Sequence, residues 1–127
     1  KKIALLALGA AYQHFGETIK NEQEVAAAIS NILITTYATE SSLLRAEKLV
    51  ARGRGKQAAD MVRVLVDDLI LQIRNYTSVV LAACYQGPAP QTKIKLLHRL
   101  TDFIPLNSIA LRRRIASRLI QAEKFIS

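Results

Sequence analysis

From Val25 to Ala83 apolar side chains return every three or four residues, the period of an α-helix, and Gly53-Arg54-Gly55 breaks that run. Before the break, Val25, Ile29, Ile32, Thr36, Thr39, Leu43, Ala46 and Val50 form one stripe. Its threonines can bury a methyl group while bonding the preceding turn. A helix reaching about Arg52 makes a rod of roughly 45 Å at about 1.5 Å per residue. After the break the pattern predicts a helix from about Gln57 to Tyr85. Val62, Val66, Leu69, Ile73, Tyr76, Val80 and Ala83 share its face, and Met61, Val64, Leu65, Ile70, Val79 and Leu81 widen it. This helix is expected to be the most buried. The β-branched patch Val62-Arg63-Val64-Leu65-Val66 suits a strand locally, but the stripe sustained along the whole segment does not.

The flanking segments follow the same rule. Leu5, Leu8, Tyr12, Phe15 and Ile19 keep the helical rhythm, and Gly16 is expected to stop the helix before Ile19. Asn21 with Glu24 resembles a capping box that starts the next helix. Gln86-Gly87-Pro88-Ala89-Pro90 is a break. Ile94, Leu97 and Thr101, with Leu96 and Leu100, then predict a short helix closed by Pro105. Asn107 or Ser108 can cap a last helix carrying Leu111, Ile115, Leu119, Ala122 and Ile126 on one face. Long helices with short breaks predict an all-α, up-down helical bundle of about four to five helices, residues 1–127 forming a single domain.

With 127 residues and 50% hydrophobic content, the chain can bury roughly two-thirds of its unfolded surface and is too apolar for a disordered tail. It begins at Lys1, and its one methionine is Met61, which suggests an excised fragment or a processed chain. Lys1 and Lys2 precede an apolar run, yet that run passes into Gln13, His14 and Phe15 without a small-residue cleavage site. The charge-free stretches 3–15 and 75–92 do not supply a membrane span, the second being interrupted by Gly87, Pro88 and Pro90. A lone Cys84 excludes an internal disulfide and fits a reducing compartment.

The residues of types that carry chemistry do not converge. Asp67 and Asp68 are adjacent, so on a helix they point about 100° apart and serve as salt-bridge partners rather than as an acid pair. His14 and His98 are distant from each other, and no Cys, His and Asp spacing suits a metal. Cys84 reads as a packed thiol near a helix end. Arg52-Gly53-Arg54-Gly55-Lys56 lacks the spacing of a phosphate loop, with Gln57 at its Ser/Thr position, and reads as an exposed turn. No nucleophile elbow or triad signature occurs. The expectation is a piece without catalytic, cofactor-binding or metal-binding residues.

The net charge of +8 is concentrated at one end: residues 91–127 carry +6 and the first ninety +2. On the last helix Arg113, Arg114, Ser117, Gln121 and Lys124 lie opposite the apolar stripe, flanked by Arg112 and Arg118. Arg112, Arg113, Arg114, Arg118 and Lys124 are therefore the candidate contacts for an anionic membrane surface or anionic partner. The same pattern also describes the solvated outer helix of a bundle. Nucleic acid is not an expected partner, because the basic residues lack interleaved aromatics and a groove-reading motif.

Phe15-Gly16-x-Thr18-Ile19, Glu22-Gln23, Asn31-Ile32-Leu33-Ile34-x-x-Tyr37 and Leu43-x-Arg45-Ala46 together resemble the appended C-terminal domain of very-long-chain-type acyl-CoA dehydrogenases. Ile115, Ser117, Leu119 or Ile120, Glu123 and Lys124 are a looser echo of it. The resemblance implies a non-catalytic appendage to a flavin-dependent dehydrogenase of fatty-acid β-oxidation, with FAD, the acyl-CoA site and the catalytic glutamate in the upstream core. It implies the parent core as partner, homodimerisation of the parent, and peripheral membrane contact. The location implied is the cytoplasm or membrane periphery in a bacterium, or the matrix side of the mitochondrial inner membrane in a eukaryote. The alternative is an independent helical adaptor that binds an acidic protein or nucleic acid.

Overall fold

The computed structural model describes residues 1–53 and 55–123, and the regular elements of its described residues are all helices, with no strand. Helix α1 spans Lys2–Phe15, and a 3-10 turn follows over Gly16–Asn21. Helices α2 (Gln23–Ala51), α3 (Gly55–Tyr85), α4 (Gln91–Thr101) and α5 (Ser108–Ala122) complete the chain. The expected all-α bundle of four to five helices is thus observed, with five.

The boundaries have identifiable causes. Gly16 adopts φ 52°, a conformation costly for any residue with a Cβ, and its N–H bonds the Tyr12 carbonyl to end α1. Asn21 is absorbed into the 3-10 turn, so the Asn21/Glu24 capping box does not start α2. The first bond instead runs from the Ala26 N–H to the Glu22 carbonyl. Helix α3 begins at Gly55, earlier than the expected Gln57. A Cβ at Gly55 would collide with the backbone and side chain of Val50, so glycine lets the start of α3 press against the end of α2. Helix α4 stops at Thr101, ahead of Pro105, as Asp102 turns extended. Asn107 Oδ1 accepts from the Ala110 N–H at 3.0 Å and caps α5 as expected.

The chain divides into two compact units, the first comprising Lys1–Tyr37 and Ile70–Phe103. Its core joins Ala7 and Ala11 of α1, Ile32 of α2, Val80, Leu81 and Cys84 of α3, and Leu97 of α4. Fully burying Ile32 or Leu97 is worth about 1.5–3 kcal/mol each. The buried side of α1 is Ile3, Leu6, Ala7, Ala10 and Ala11, whereas Leu5, Leu8 and Tyr12 of the expected stripe are exposed. Helix α1 is apolar on both sides, so periodicity alone did not select the face. Alanines at 7, 10 and 11 permit the closer approach to the core. In α2 the buried set Val25, Ala28, Ile29, Ile32 and Thr35 overlaps the predicted stripe.

The second unit comprises Ala38–Leu69 and the described residues from Ile104 onward. Here Ala46, Ala58 and Val64 are buried beside Asp60, while Leu43 and Val50 of the α2 stripe are about half exposed. No residue of α5 is buried.

Candidate functional site

A helix with no buried side chain needs something besides apolar burial to hold it, and in α5 that role falls to arginine. The cap at Asn107 sets the register of Ser108–Ala122. Leu111, Ile115 and Leu119 are then turned partly inward, with Arg112 and Arg118 at the edges of their stripe. Asp60 on α3 is 5% exposed and receives two arginines. Arg114 donates to its Oδ1 at 2.6 Å, and Arg118 to its Oδ2 at 2.8 Å. Two turns along α3, Asp68 Oδ2 accepts from Arg112 at 2.5 Å, a pair exposed on both sides. Below this clamp, Gln57 and Met61 of α3 meet Ile115 and Leu119 of α5.

The electrostatics of Asp60 follow from this geometry. Burial pushes its carboxyl upward, but hydrogen bonds and charge from Arg114 and Arg118 outweigh burial and hold it below its ordinary 3.8. Two oxygens meeting two guanidiniums satisfy a carboxylate that would otherwise be costly to bury.

The structure therefore sorts the five basic residues proposed from sequence. Arg112, Arg114 and Arg118 meet carboxylates of α3 in the same unit, Arg113 is exposed, and Lys124 lies outside the described residues. Arg114, placed by periodicity on the outward side of the helix, reaches back to Asp60 because its side chain is long. Sequence reasoning missed Asp60. The available signal was the i, i+4 pair Arg114/Arg118 beside an apolar stripe, together with a lone acid in the apolar run Ala58–Val62.

The remaining candidates have separate neighbours. Asp68 goes to Arg112, while its neighbour Asp67 turns Oδ1 inward, where no hydrogen-bond partner reaches it among the described residues. His98 Nδ1 accepts from the Arg74 guanidinium at 2.5 Å, and the His14 ring stands edge-on to Phe15 at 4.7 Å. Cys84 is fully buried, and burial pushes its thiol up. No group of three or more His, Cys, Asp or Glu among the described residues is placed to hold a metal. No described helix is long and apolar enough to cross a membrane.

Two open clefts flank the α2–α3 pair in the second unit. One, of about 390 Å³, is lined by Ala46, Leu49, Met61 and Leu65, with Ser42 and Arg45 at its polar end. The other, of about 380 Å³, is lined by Leu43, Val50 and Val62, with Glu47 and Arg63. Neither gathers an acid–base pair.

The chain is 34% identical to a probable acyl-CoA dehydrogenase of Bacillus subtilis (strain 168), over 98% of its own length and 22% of that protein's. The fold superimposes with a TM-score of 0.90, at 28% identity, on the crystal structure of an acyl-CoA dehydrogenase complexed with FAD from Bacillus anthracis. That match covers 99% of this chain and 23% of the other. The chain thus spans about a fifth of the length of these relatives. Residues 1–99, from α1 into α4, match the family described as acyl-CoA dehydrogenase, C-terminal domain, and the chain belongs to that family.

Proposed function

We propose that residues 1–127 form a single, non-catalytic C-terminal domain that packs on a flavin-dependent acyl-CoA dehydrogenase of the very-long-chain type and supports its dimerisation. The observation that carries this reading is that Arg114 and Arg118 both bind the buried Asp60, while Arg112 pairs with Asp68 at the surface of the same unit. A basic helix whose charges brace its own unit is built for rigidity more than for display. The very-long-chain assignment is supported by the Phe15–Ala46 motifs, which fall within the family-matched residues. Because both relatives are bacterial, we place the protein in the cytoplasm.

The residues of this domain do not fit a flavin nucleotide. The two clefts are largely apolar, one with Arg45 and the other with Glu47 and Arg63 at its rim, and Gly55 is packed on Val50 rather than left open to a phosphate. We therefore assign FAD and the acyl-CoA chemistry to the rest of the parent. Peripheral membrane attachment is the second reading. It is favoured by the exposed Arg113, the described arginine of α5 with no carboxylate partner shown.

The test compares the full-length protein with a version lacking residues 1–127. Loss of the dimer, with flavin still bound to the shortened protein, is expected. Flavin bound stoichiometrically by the 127-residue chain, or a dimer unchanged by the deletion, would overturn the proposal. Co-sedimentation of the full-length protein with anionic, but not neutral, vesicles at low salt is the outcome that would support the membrane reading.

A further inference from the structure

A helix that is apolar on all sides normally lies inside a protein. Between Ile3 and Phe15 no residue is charged, and the side of α1 turned away from the core carries Leu5, Leu8 and Tyr12, which are 69%, 43% and 70% exposed. Helix α2 repeats the arrangement in the same unit. No residue from Val25 to Thr39 is charged, yet Leu33, Ile34 and Tyr37 are 49%, 65% and 74% exposed. Both helices contribute to one core, so the first unit carries two uncharged apolar faces with no described partner.

The exposed apolar residues of the second unit differ in their surroundings. Leu43 and Val50 border a cleft that also holds Glu47 and Arg63, and Ile109 and Ile120 share α5 with its arginines. Apolar residues interspersed with charge suit solvent or a transient contact. An apolar surface without charge matches the core of a permanent interface.

We infer that the faces Leu5/Leu8/Tyr12 of α1 and Leu33/Ile34/Tyr37 of α2 are the surfaces by which this domain docks on the dehydrogenase part of its own polypeptide. The inference rests on the proposed function and adds to it the docking surface. The occupant follows from length and chemistry. The relatives are about four to five times longer than this chain, so most of each polypeptide lies outside the matched fifth. A covalently linked partner is also permanently available to an uncharged surface that would promote aggregation if left open.

Hydroxyl-radical footprinting of the full-length protein tests this without any substitution, because Tyr12 and Tyr37 are themselves reactive probes. Modification of each is compared between native protein and protein in denaturant, with Ile104, 88% exposed, as the reference. The expected result is at least tenfold protection of both tyrosines in the native protein, unchanged on dilution, with Ile104 remaining reactive. Protection lost on dilution would identify a second copy as the occupant and overturn the inference. Protection confined to Ile109, Ile120 or Leu43 would show docking through other faces, overturning the inference while leaving the proposed function standing. No protection at any of these residues would remove both.

Discussion

Arg118 and Asp60 meet at 2.8 Å across the α5–α3 contact, with the Asp60 side chain 7% exposed and Arg114 bound to its other oxygen. This places one carboxylate across about one helical turn of α5. The hold on α5 is therefore ionic where the hold on α4 is apolar, since Leu97 of α4 is 1% exposed and α5 has no comparable anchor.

Asp60→Asn should consequently loosen α5 before it unfolds the rest. The pair lies between the exposed and fully buried limits, so a loss of about 2 kcal/mol is expected near neutral pH. Hydrogen exchange should show faster opening of α5 with little change in α1 and α4. Asp68→Asn, which breaks an exposed pair, should cost about 0.5 kcal/mol or less.

The same carboxylate predicts an acid dependence. Its folded-state value is depressed, so its contribution to stability is complete above the ordinary 3.8 and is lost as pH falls through the lower folded value. Denaturant midpoints of the native sequence and Asp60→Asn should converge as the solution is acidified below that ordinary value. A gap that stays constant to the lowest accessible pH would show that charge is not what holds Asp60.

Much of this architecture was legible in the sequence because periodicity and breakers report directly on backbone geometry. Gly16, Gly53 and Asn107 act where the pattern placed them. The exposed side of α1 was not legible, since Leu5, Leu8 and Tyr12 are as apolar as Ile3 and Leu6, and only three-dimensional packing chooses between the two faces. Asp60 was hidden for a different reason. Its partners Arg114 and Arg118 lie 54 and 58 residues away, and no local pattern joins an acid to cations at that separation. Asn21 was misread because the capping-box signature does not register the 3-10 turn that precedes α2.

Gly53, two residues beyond the end of α2, and Gly55, the first residue of α3, should behave differently. Gly53 has φ 72° with open space around it, so Gly53→Ala should cost about 1 kcal/mol from backbone strain alone. At Gly55 the added Cβ would overlap Val50, and the cost should rise to about 1–3 kcal/mol as the α2–α3 turn is forced apart. Thermal unfolding of the two variants should rank them in that order.

Cys84 should be chemically silent in the native protein. It is 0% exposed, and burial raises its thiol, so both access and the thiolate fraction are low. Reaction with a disulfide reagent should be slow until denaturant is added and then complete within the unfolding time.

Adjacent leucines on α4 test whether its inward face is correctly identified. Leu97 is 1% exposed within the core of the first unit, whereas Leu96 is 40% exposed on the next helical position. Truncating Leu97 to alanine removes buried methyl groups and leaves a cavity, a loss of about 2–5 kcal/mol. Leu96→Ala deletes the same atoms from a partly solvated site and should cost about 1 kcal/mol or less. Chemical denaturation should show a large drop in midpoint for Leu97→Ala with an unchanged slope. Equal losses at the two positions would mean that α4 is rotated from the orientation in which Thr101 is buried and its hydroxyl donates to the Leu97 carbonyl at 2.8 Å.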